Sequence, residues 1–136
     1  MDAETAAHGD DKHGDDKRLD RLEPRVVGDA FTASAADAGS AWRLEPPERG
    51  LDANVIVLPA GDEIRSHTGP ELDVLLVVLS GSGTLVTATD AIALEPGGIV
   101  WLPARSRRRF IAGDAGLRYF SVHQRKPGLG IRSIAE

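Results

Sequence analysis

The sequence contains no cysteine, and this absence removes disulfides, thiolate metal sites and cysteine nucleophiles from consideration. It also has no apolar run that approaches the roughly 18 residues of a membrane-spanning helix. The first 25 residues are polar and acidic and lack the apolar segment of a secretory signal. These absences predict a soluble protein of a reducing compartment, and we expect it in the cytoplasm.

The chain also lacks an excess of positive charge, since its formal net charge is -5 at pH 7. Residues 1–24 hold eight acidic and four basic side chains, including a tandem His-Gly-Asp-Asp-Lys repeat at 8–12 and 13–17. Because ten residues without an apolar side chain cannot offset the entropy of ordering them, we expect 1–24 to be a disordered acidic tail. The nearly neutral remainder gives no reason to expect nucleic acid or a membrane as a partner.

From residue 25 onward, short apolar runs alternate with glycine, proline and aspartate, a pattern typical of an all-β sandwich or barrel. The alanine-rich stretch 32–38 predicts a short helical turn. The run 74–79 is apolar at every position, which predicts a strand buried on both faces. The predicted strands are Ala41–Leu44, Ala53–Leu58, Val74–Leu79, Thr84–Thr89, Ile99–Leu102, Arg108–Ile111 and Leu117–Gln124.

Two segments carry a spaced pattern of glycine, histidine and proline. In the first, Gly61 is followed after five residues by His67, and the pattern closes at Gly81. In the second, Gly97 is followed after five residues by Pro103. This skeleton resembles the two sequence motifs of the cupin superfamily.

The resemblance implies a fold and an assembly. We expect a cupin-type jelly-roll β-barrel over 41–127, preceded by an N-terminal arm at 25–40 and followed by a C-terminal tail at 128–136. The resemblance also implies a homodimer, because cupins are similar to one another in pairing through outer strands.

The metal site that the resemblance implies, three histidines and one glutamate, is not reproduced in this chain. The four ligand positions are occupied by His67, Gly69, Val74 and Arg108, so only the first keeps its ligand type. A guanidinium in the lumen of the barrel would repel a divalent ion. We therefore expect no metal cofactor.

One metal site stays open as an alternative. Outside the acidic tail the chain has two histidines, His67 and His123, so a site of three histidines cannot form there. These two and one carboxylate, Asp73 or Glu71, could hold a divalent transition metal. A second alignment places Asp73 at the glutamate position, but Ser80 then replaces the closing glycine.

An arginine in the lumen indicates an anionic ligand. A buried guanidinium needs an acceptor, either inside the protein (Glu71, Asp73, Tyr119 or a backbone carbonyl) or on a ligand carboxylate or phosphate. Both possibilities are open from the sequence. The predicted ligand-binding residues are His67, Arg108, Tyr119 and His123.

Three classes of function fit these features, and no catalytic residue can be assigned. The first, which we favour, is a small-molecule-binding cupin for an organic acid or similar anion. The second is an enzyme, either metal-independent as in the cupin sugar epimerases, with His67 as base and Tyr119 as acid, or a metal-dependent dioxygenase or decarboxylase. The third is an interaction module without a ligand. Trp42 and Trp101 are expected in the core.

Overall fold

Seven β-strands and no helix make up the described part of the protein, residues 23–34 and 39–126 of a computed structural model. Buried and more exposed side chains alternate along much of the two longest strands, as expected where one side of a strand faces a core. The strands are β1 (Gly39–Arg43), β2 (Leu51–Leu58), β3 (Glu63–Thr68), β4 (Val74–Val86), β5 (Ala91–Leu94), β6 (Ile99–Leu102) and β7 (Arg107–Gln124).

The long strands β4 and β7 pair antiparallel and belong to two sheets at once. The first half of β4 and the second half of β7 lie with β1, β2 and β6, and we call this group sheet I. The remaining halves lie with β3 and β5 and form sheet II. Buried side chains from both sheets meet in one cluster, so the two sheets enclose a lumen as in a jelly-roll barrel.

Glycines allow β4 and β7 to pass from one sheet to the other. Gly81 and Gly116 have φ angles of 78° and 80°, in the left-handed region that favours glycine. A Cβ atom on Gly81 would collide with the carbonyl oxygen of Gly116. The β4–β7 register shifts at this same point, which is typical of a bulge that bends a strand.

The lumen is packed with apolar side chains. Leu76, Leu85 and Leu94 are each no more than 1% exposed. Arg108 is the one charged side chain buried among the described residues. The buried cluster consists of Leu58, Val74, Leu76, Val78, Leu85, Leu94, Leu102, Phe110, Ala112, Leu117 and Tyr119.

The predicted all-β jelly-roll fold is confirmed, but several strand predictions were wrong. The glycines at 81–83 and 113–116 were taken as strand ends, whereas β4 and β7 continue through them. Strands β3 and β5 were missed because β3 is polar at most positions and β5 has only four residues. The run 74–79 is not buried on both faces, since Leu75 is 47% exposed.

The N-terminal arm lies against the outer side of sheet I. The indole nitrogen of Trp42 donates to the carbonyl of Val27 at 2.9 Å, and Arg118 donates to the carbonyls of Ala30 and Ala33 at 3.0 and 2.7 Å. The side chain of Asp29 caps one turn that ends at Ala33. The turn therefore begins before the predicted stretch 32–38, of which 35–38 lie outside the described residues. The predicted tails at 1–24 and 128–136 also lie outside them, apart from residues 23 and 24.

Candidate functional site

Arg108 lies inside the barrel and is bound by local backbone and hydroxyl groups. The residue is 4% exposed. Its Nε donates to the Ser106 carbonyl at 3.2 Å, and its Nη2 donates to the Pro103 carbonyl at 3.1 Å and to Ser106 Oγ at 2.7 Å. Of the acceptors considered from the sequence, the backbone carbonyls are the ones that the structure supplies. Desolvation lowers the pKa of the guanidinium, but an arginine remains a cation at any ordinary pH.

The four cupin ligand positions do not fit a metal ion in this chain. The guanidinium of Arg108 lies directly over Gly69, where a Cβ atom would collide with it. Val74 is an apolar member of the buried cluster. The Arg108 cation therefore occupies the space beside the second ligand position, Gly69, and the glutamate position, Val74, offers no donor atom. These residues do not fit a metal ion, and no metal chemistry is derived for this site.

The carboxylates of the alternative metal site are engaged elsewhere. Asp73 accepts from the Trp101 indole at 3.1 Å and from the Ala104 backbone at 2.9 Å. Glu71 is exposed, 3.8 Å from the guanidinium of Arg105. Within the described ranges, no three histidine or carboxylate side chains lie close enough together to hold a metal ion.

Tyr119 belongs to the core beneath Arg108. Its ring stacks on Phe110 with centroids 5.0 Å apart, and the residue is 5% exposed. Burial raises the pKa of the phenol well above its ordinary value, and the nearby Arg108 cation opposes part of that increase. The phenol therefore stays protonated in the folded protein, and in this position it contributes to packing.

The two histidines outside the tail occupy different surroundings. His67 is exposed on β3, with its Cα paired to that of Arg108, and its Nδ1 is 2.9 Å from the Arg65 carbonyl. His123 is half-buried on β7, and its Nδ1 is 2.9 Å from the Gln124 carbonyl. Because a carbonyl oxygen only accepts, Nδ1 of His123 is the donor and Nε2 is free to bind a ligand.

The alternation of side chains along a strand correctly predicted the side that each neighbour of Arg108 faces. Arg107 and Arg109, on either side of Arg108, face outward and contact Ser66, Thr68 and Glu63 on β3. Tyr119 faces the lumen, so its side of β7 is the inner one.

The two tryptophans, both expected in the core, lie elsewhere. Trp42 is half-buried beneath the N-terminal arm, at the outer side of sheet I. Trp101 was placed wrongly, because it is 62% exposed on the outer side of β6.

Polar side chains on the inner side of sheet I line a cavity of about 310 Å³, which we call the polar cleft. Asn54 and Ser121 lie opposite each other on β2 and β7, and Ser121 Oγ donates to Asn54 Oδ1 at 2.6 Å. His123 lies two residues further along β7, opposite Asp52. The polar groups that line the cleft are Arg43, Arg49, Asp52, Asn54, Ser121 and His123.

Among the described residues, one cation of the polar cleft has no acidic partner. Arg49 is bound by Asp52, with Nη2 to Oδ1 at 2.9 Å, and by the Pro46 carbonyl. Arg43 has one hydrogen bond, from Nε to Ser40 Oγ at 3.3 Å. Within residues 23–34 and 39–126, its two terminal nitrogens have no hydrogen bond or ion pair. The cleft therefore presents a net positive charge.

The structure places three of the four predicted ligand-binding residues near one another and the fourth, His123, elsewhere. Arg108 and Tyr119 lie in the lumen, His67 is exposed beside them, and His123 lines the polar cleft. Sequence reasoning missed Arg43 and Asn54. Their position opposite β7 depends on the pairing of β1, β2 and β7, which no spacing in the sequence reveals.

A larger cavity of about 760 Å³ lies between the arm and β1, and it is lined by residues of both together with the loop that follows β1. It lies outside the barrel, whereas the polar cleft lies on the inner side of sheet I. No helix of the described residues is long and apolar enough to cross a membrane.

No family model matches the sequence, and no curated protein matches it significantly. Solved structures do resemble it. The cupin domain of Cnp3 from Schizosaccharomyces pombe is 17% identical over 68% of this chain and 68% of its own, with a TM-score of 0.56. A cupin-superfamily sugar phosphate isomerase from Silicibacter pomeroyi is 24% identical over 58% of this chain and 53% of its own, with a TM-score of 0.52.

A third solved structure covers more of the chain. A cupin-superfamily protein from Desulfitobacterium hafniense is 15% identical over 76% of this chain and 94% of its own, with a TM-score of 0.60. At these identities the likeness concerns the fold. The two sheets that share β4 and β7, the lumen between them and these structural likenesses identify the protein as a β-barrel with the cupin fold.

Proposed function

We propose that this protein binds a small organic anion, without a metal, in the polar cleft on the inner side of sheet I. The observation that carries the proposal is the guanidinium of Arg43, whose terminal nitrogens have no partner among the described residues, on a residue that lines a cavity together with other hydrogen-bonding groups. A guanidinium binds a carboxylate or phosphate through two parallel hydrogen bonds, which gives both energy and orientation.

The other side chains of the cleft supply complementary contacts. Because Asn54 Oδ1 already accepts from Ser121, the amide nitrogen of Asn54 remains a donor for a ligand. His123 Nε2 accepts from a ligand hydroxyl when the ring is neutral and donates to a carboxylate when it is protonated. The ion pair of Arg49 and Asp52 neutralises both charges at the edge of the cleft, so an anion meets no net repulsion there.

The size of the polar cleft limits the ligand. Small-molecule sites range from about 300 to 1,000 Å³, so a cavity of about 310 Å³ lies at the small end of that range and favours a small ligand. A short hydroxy acid or dicarboxylate fits both the volume and the donors. We therefore assign the ligand class to short organic acids.

Arg43→Gln should weaken the binding of a short dicarboxylate such as succinate at least tenfold, because the charge-assisted contact is lost. Tenfold corresponds to about 1.4 kcal/mol. Isothermal titration calorimetry at low salt measures the effect. The neutral diol 1,4-butanediol serves as the uncharged control ligand.

Arg65→Gln is the matched control, since Arg65 is exposed on β3 and does not line the cleft. It removes one positive charge from the protein, as Arg43→Gln does, and should leave the affinity within twofold of wild type. Equal losses in both variants would mean that succinate responds only to the net charge, and the cleft would lose its assignment. The absence of saturable binding by wild-type protein to short organic acids would overturn the proposed function itself.

A further inference from the structure

The N-terminal arm encloses a cavity of about 300 Å³ against the outer side of sheet I, which we call the arm cavity. One wall is the arm itself, from Val27 to Ala30, and the other is formed by side chains of β1, β2 and β7. Because neighbours along a strand face opposite sides, Phe120 and Val122 point away from the lumen that Tyr119 faces. The arm cavity is therefore separate from the polar cleft, which lies on the inner side of the same sheet.

The arm is fixed at both ends of the wall that it forms. The Trp42 indole nitrogen donates to the Val27 carbonyl at 2.9 Å, and Arg118 donates to the Ala30 carbonyl at 3.0 Å. A Cβ atom on Gly28, between these two anchors, would collide with the Trp42 indole, so glycine is what allows the arm to approach the sheet here. The two anchors hold the arm in place, and the cavity between arm and sheet is preformed.

The side chains that line the arm cavity are almost all apolar. Among the described residues, Asp29 is the one charged side chain of the lining, and its Oδ1 accepts from the backbone amides of Phe31 and Thr32 at 2.8 and 3.2 Å. A water molecule inside a protein needs about two to four polar partners, and this lining offers few. An apolar molecule that displaces such water therefore gains free energy.

An aromatic pair in the sheet wall favours a flat ligand. The rings of Trp42 and Phe120 both line the arm cavity, and their centroids are 6.4 Å apart. Aromatic side chains bind further rings in offset or edge-to-face arrangements. The carboxylate of Asp29 repels an anion, so the short organic acids proposed for the polar cleft do not suit this cavity.

We propose that the arm cavity is a second binding site, which takes a small, uncharged aromatic molecule between the arm and sheet I. Its volume lies at the small end of the range for small-molecule sites. At Val27 and Leu51, which are 44% and 52% exposed, the cavity reaches solvent, and this gives a ligand a route of entry. The site goes beyond the proposed function, because it takes a different class of ligand on the opposite side of the sheet.

An NMR titration of the labelled full chain with indole tests the proposal. The chain has two tryptophans, so the side-chain N–H signals of Trp42 and Trp101 can be followed separately. The Trp42 signal should shift saturably, because Trp42 lines the arm cavity. The Trp101 signal should stay in place, although Trp101 is 62% exposed on the outer side of β6. Absence of a saturable shift at Trp42, or equal shifts of both signals, would overturn the proposal, because indole would then adsorb only to exposed apolar surface.

Val122→Phe should weaken indole binding about tenfold, because the larger ring fills part of the arm cavity. Val86→Phe is the matched control, since Val86 is also half-buried on a strand and does not line the cavity. It should leave the affinity within about twofold of wild type, and equal losses in the two variants would contradict the assignment of the site. Circular dichroism confirms that both variants fold.

Arg118→Gln tests the same site without adding volume to it. The change removes the anchor at the Ala30 carbonyl, so the arm wall is released and indole binding should weaken about threefold. An affinity for indole that is unchanged in Arg118→Gln would overturn the proposal that the arm forms one wall of the site.

Discussion

Gly81→Ala should lower the free energy of unfolding by about 4 kcal/mol, the largest effect that we expect from one methyl group in this protein. Two costs combine at this position. The φ angle of 78° lies in the left-handed region, which costs alanine about 1 kcal/mol more than glycine. The new Cβ would collide with the carbonyl oxygen of Gly116, a backbone atom that can move only if the crossing of β4 and β7 opens.

Substitutions at two other glycines measure the cost of the φ angle apart from the cost of the collision. Gly61 also has a φ of 78°, but nothing lies within 4 Å of its Cβ position, so Gly61→Ala should cost about 1 kcal/mol. Gly50 has neither feature, and Gly50→Ala should change stability by no more than about 0.5 kcal/mol. Urea unfolding of the three variants measures the series. Equal costs for Gly81→Ala and Gly61→Ala would show that the strands do not cross as closely as described.

Arg108→Ala should destabilise the protein by about 3 kcal/mol and leave the affinity for succinate unchanged. The change removes a buried side chain and its bonds to Ser106 and Pro103, which hold the loop between β6 and β7. Because those partners are neutral, the loss of the guanidinium leaves no buried charge unpaired. The reduced cost of desolvating a cation offsets part of the loss.

Two further variants test whether the loss of stability in Arg108→Ala comes from the buried Arg108 side chain. Arg107→Ala removes a neighbouring, exposed arginine and should cost less than about 1 kcal/mol, as surface polar contacts usually do. Arg108→Met keeps most of the buried volume and should recover about half of the stability lost in Arg108→Ala. If Arg108→Ala instead keeps full stability but loses succinate binding, then Arg108, and not Arg43, is the residue that recognises the ligand.

The features of the fold that the sequence predicts well are local. The apolar run at 74–79 predicts a strand because its β-branched residues are short-range signals of extended chain. Arg108 and its neighbours were assigned to opposite sides by the period of two. Strand ends at the glycines were predicted wrongly, because a glycine that ends a strand and one that bends it have the same local pattern. What distinguishes Gly81 is the carbonyl of Gly116, 35 positions away along the chain.

The site was harder to predict because it depends on pairing between distant strands. His123 was selected as a histidine outside the acidic tail, and it does line the polar cleft. In the sequence, Arg43 cannot be distinguished from any other exposed arginine. Its place in the cleft depends on the pairing of β1 with β2 and of Asn54 with Ser121. Trp101 was assigned to the core because an indole is mostly apolar, but Asp73 satisfies its nitrogen at the surface.

The proposed function depends on where the ligand binds, and a heteronuclear NMR titration of the labelled full chain with succinate tests this most directly. We predict saturable shifts for the backbone amides of Arg43, Asn54, Ser121 and His123, which line the polar cleft. Amides near His67, Arg108 and Tyr119 should stay in place. Shifts centred on those three residues would contradict the account and return the ligand to the lumen of the barrel.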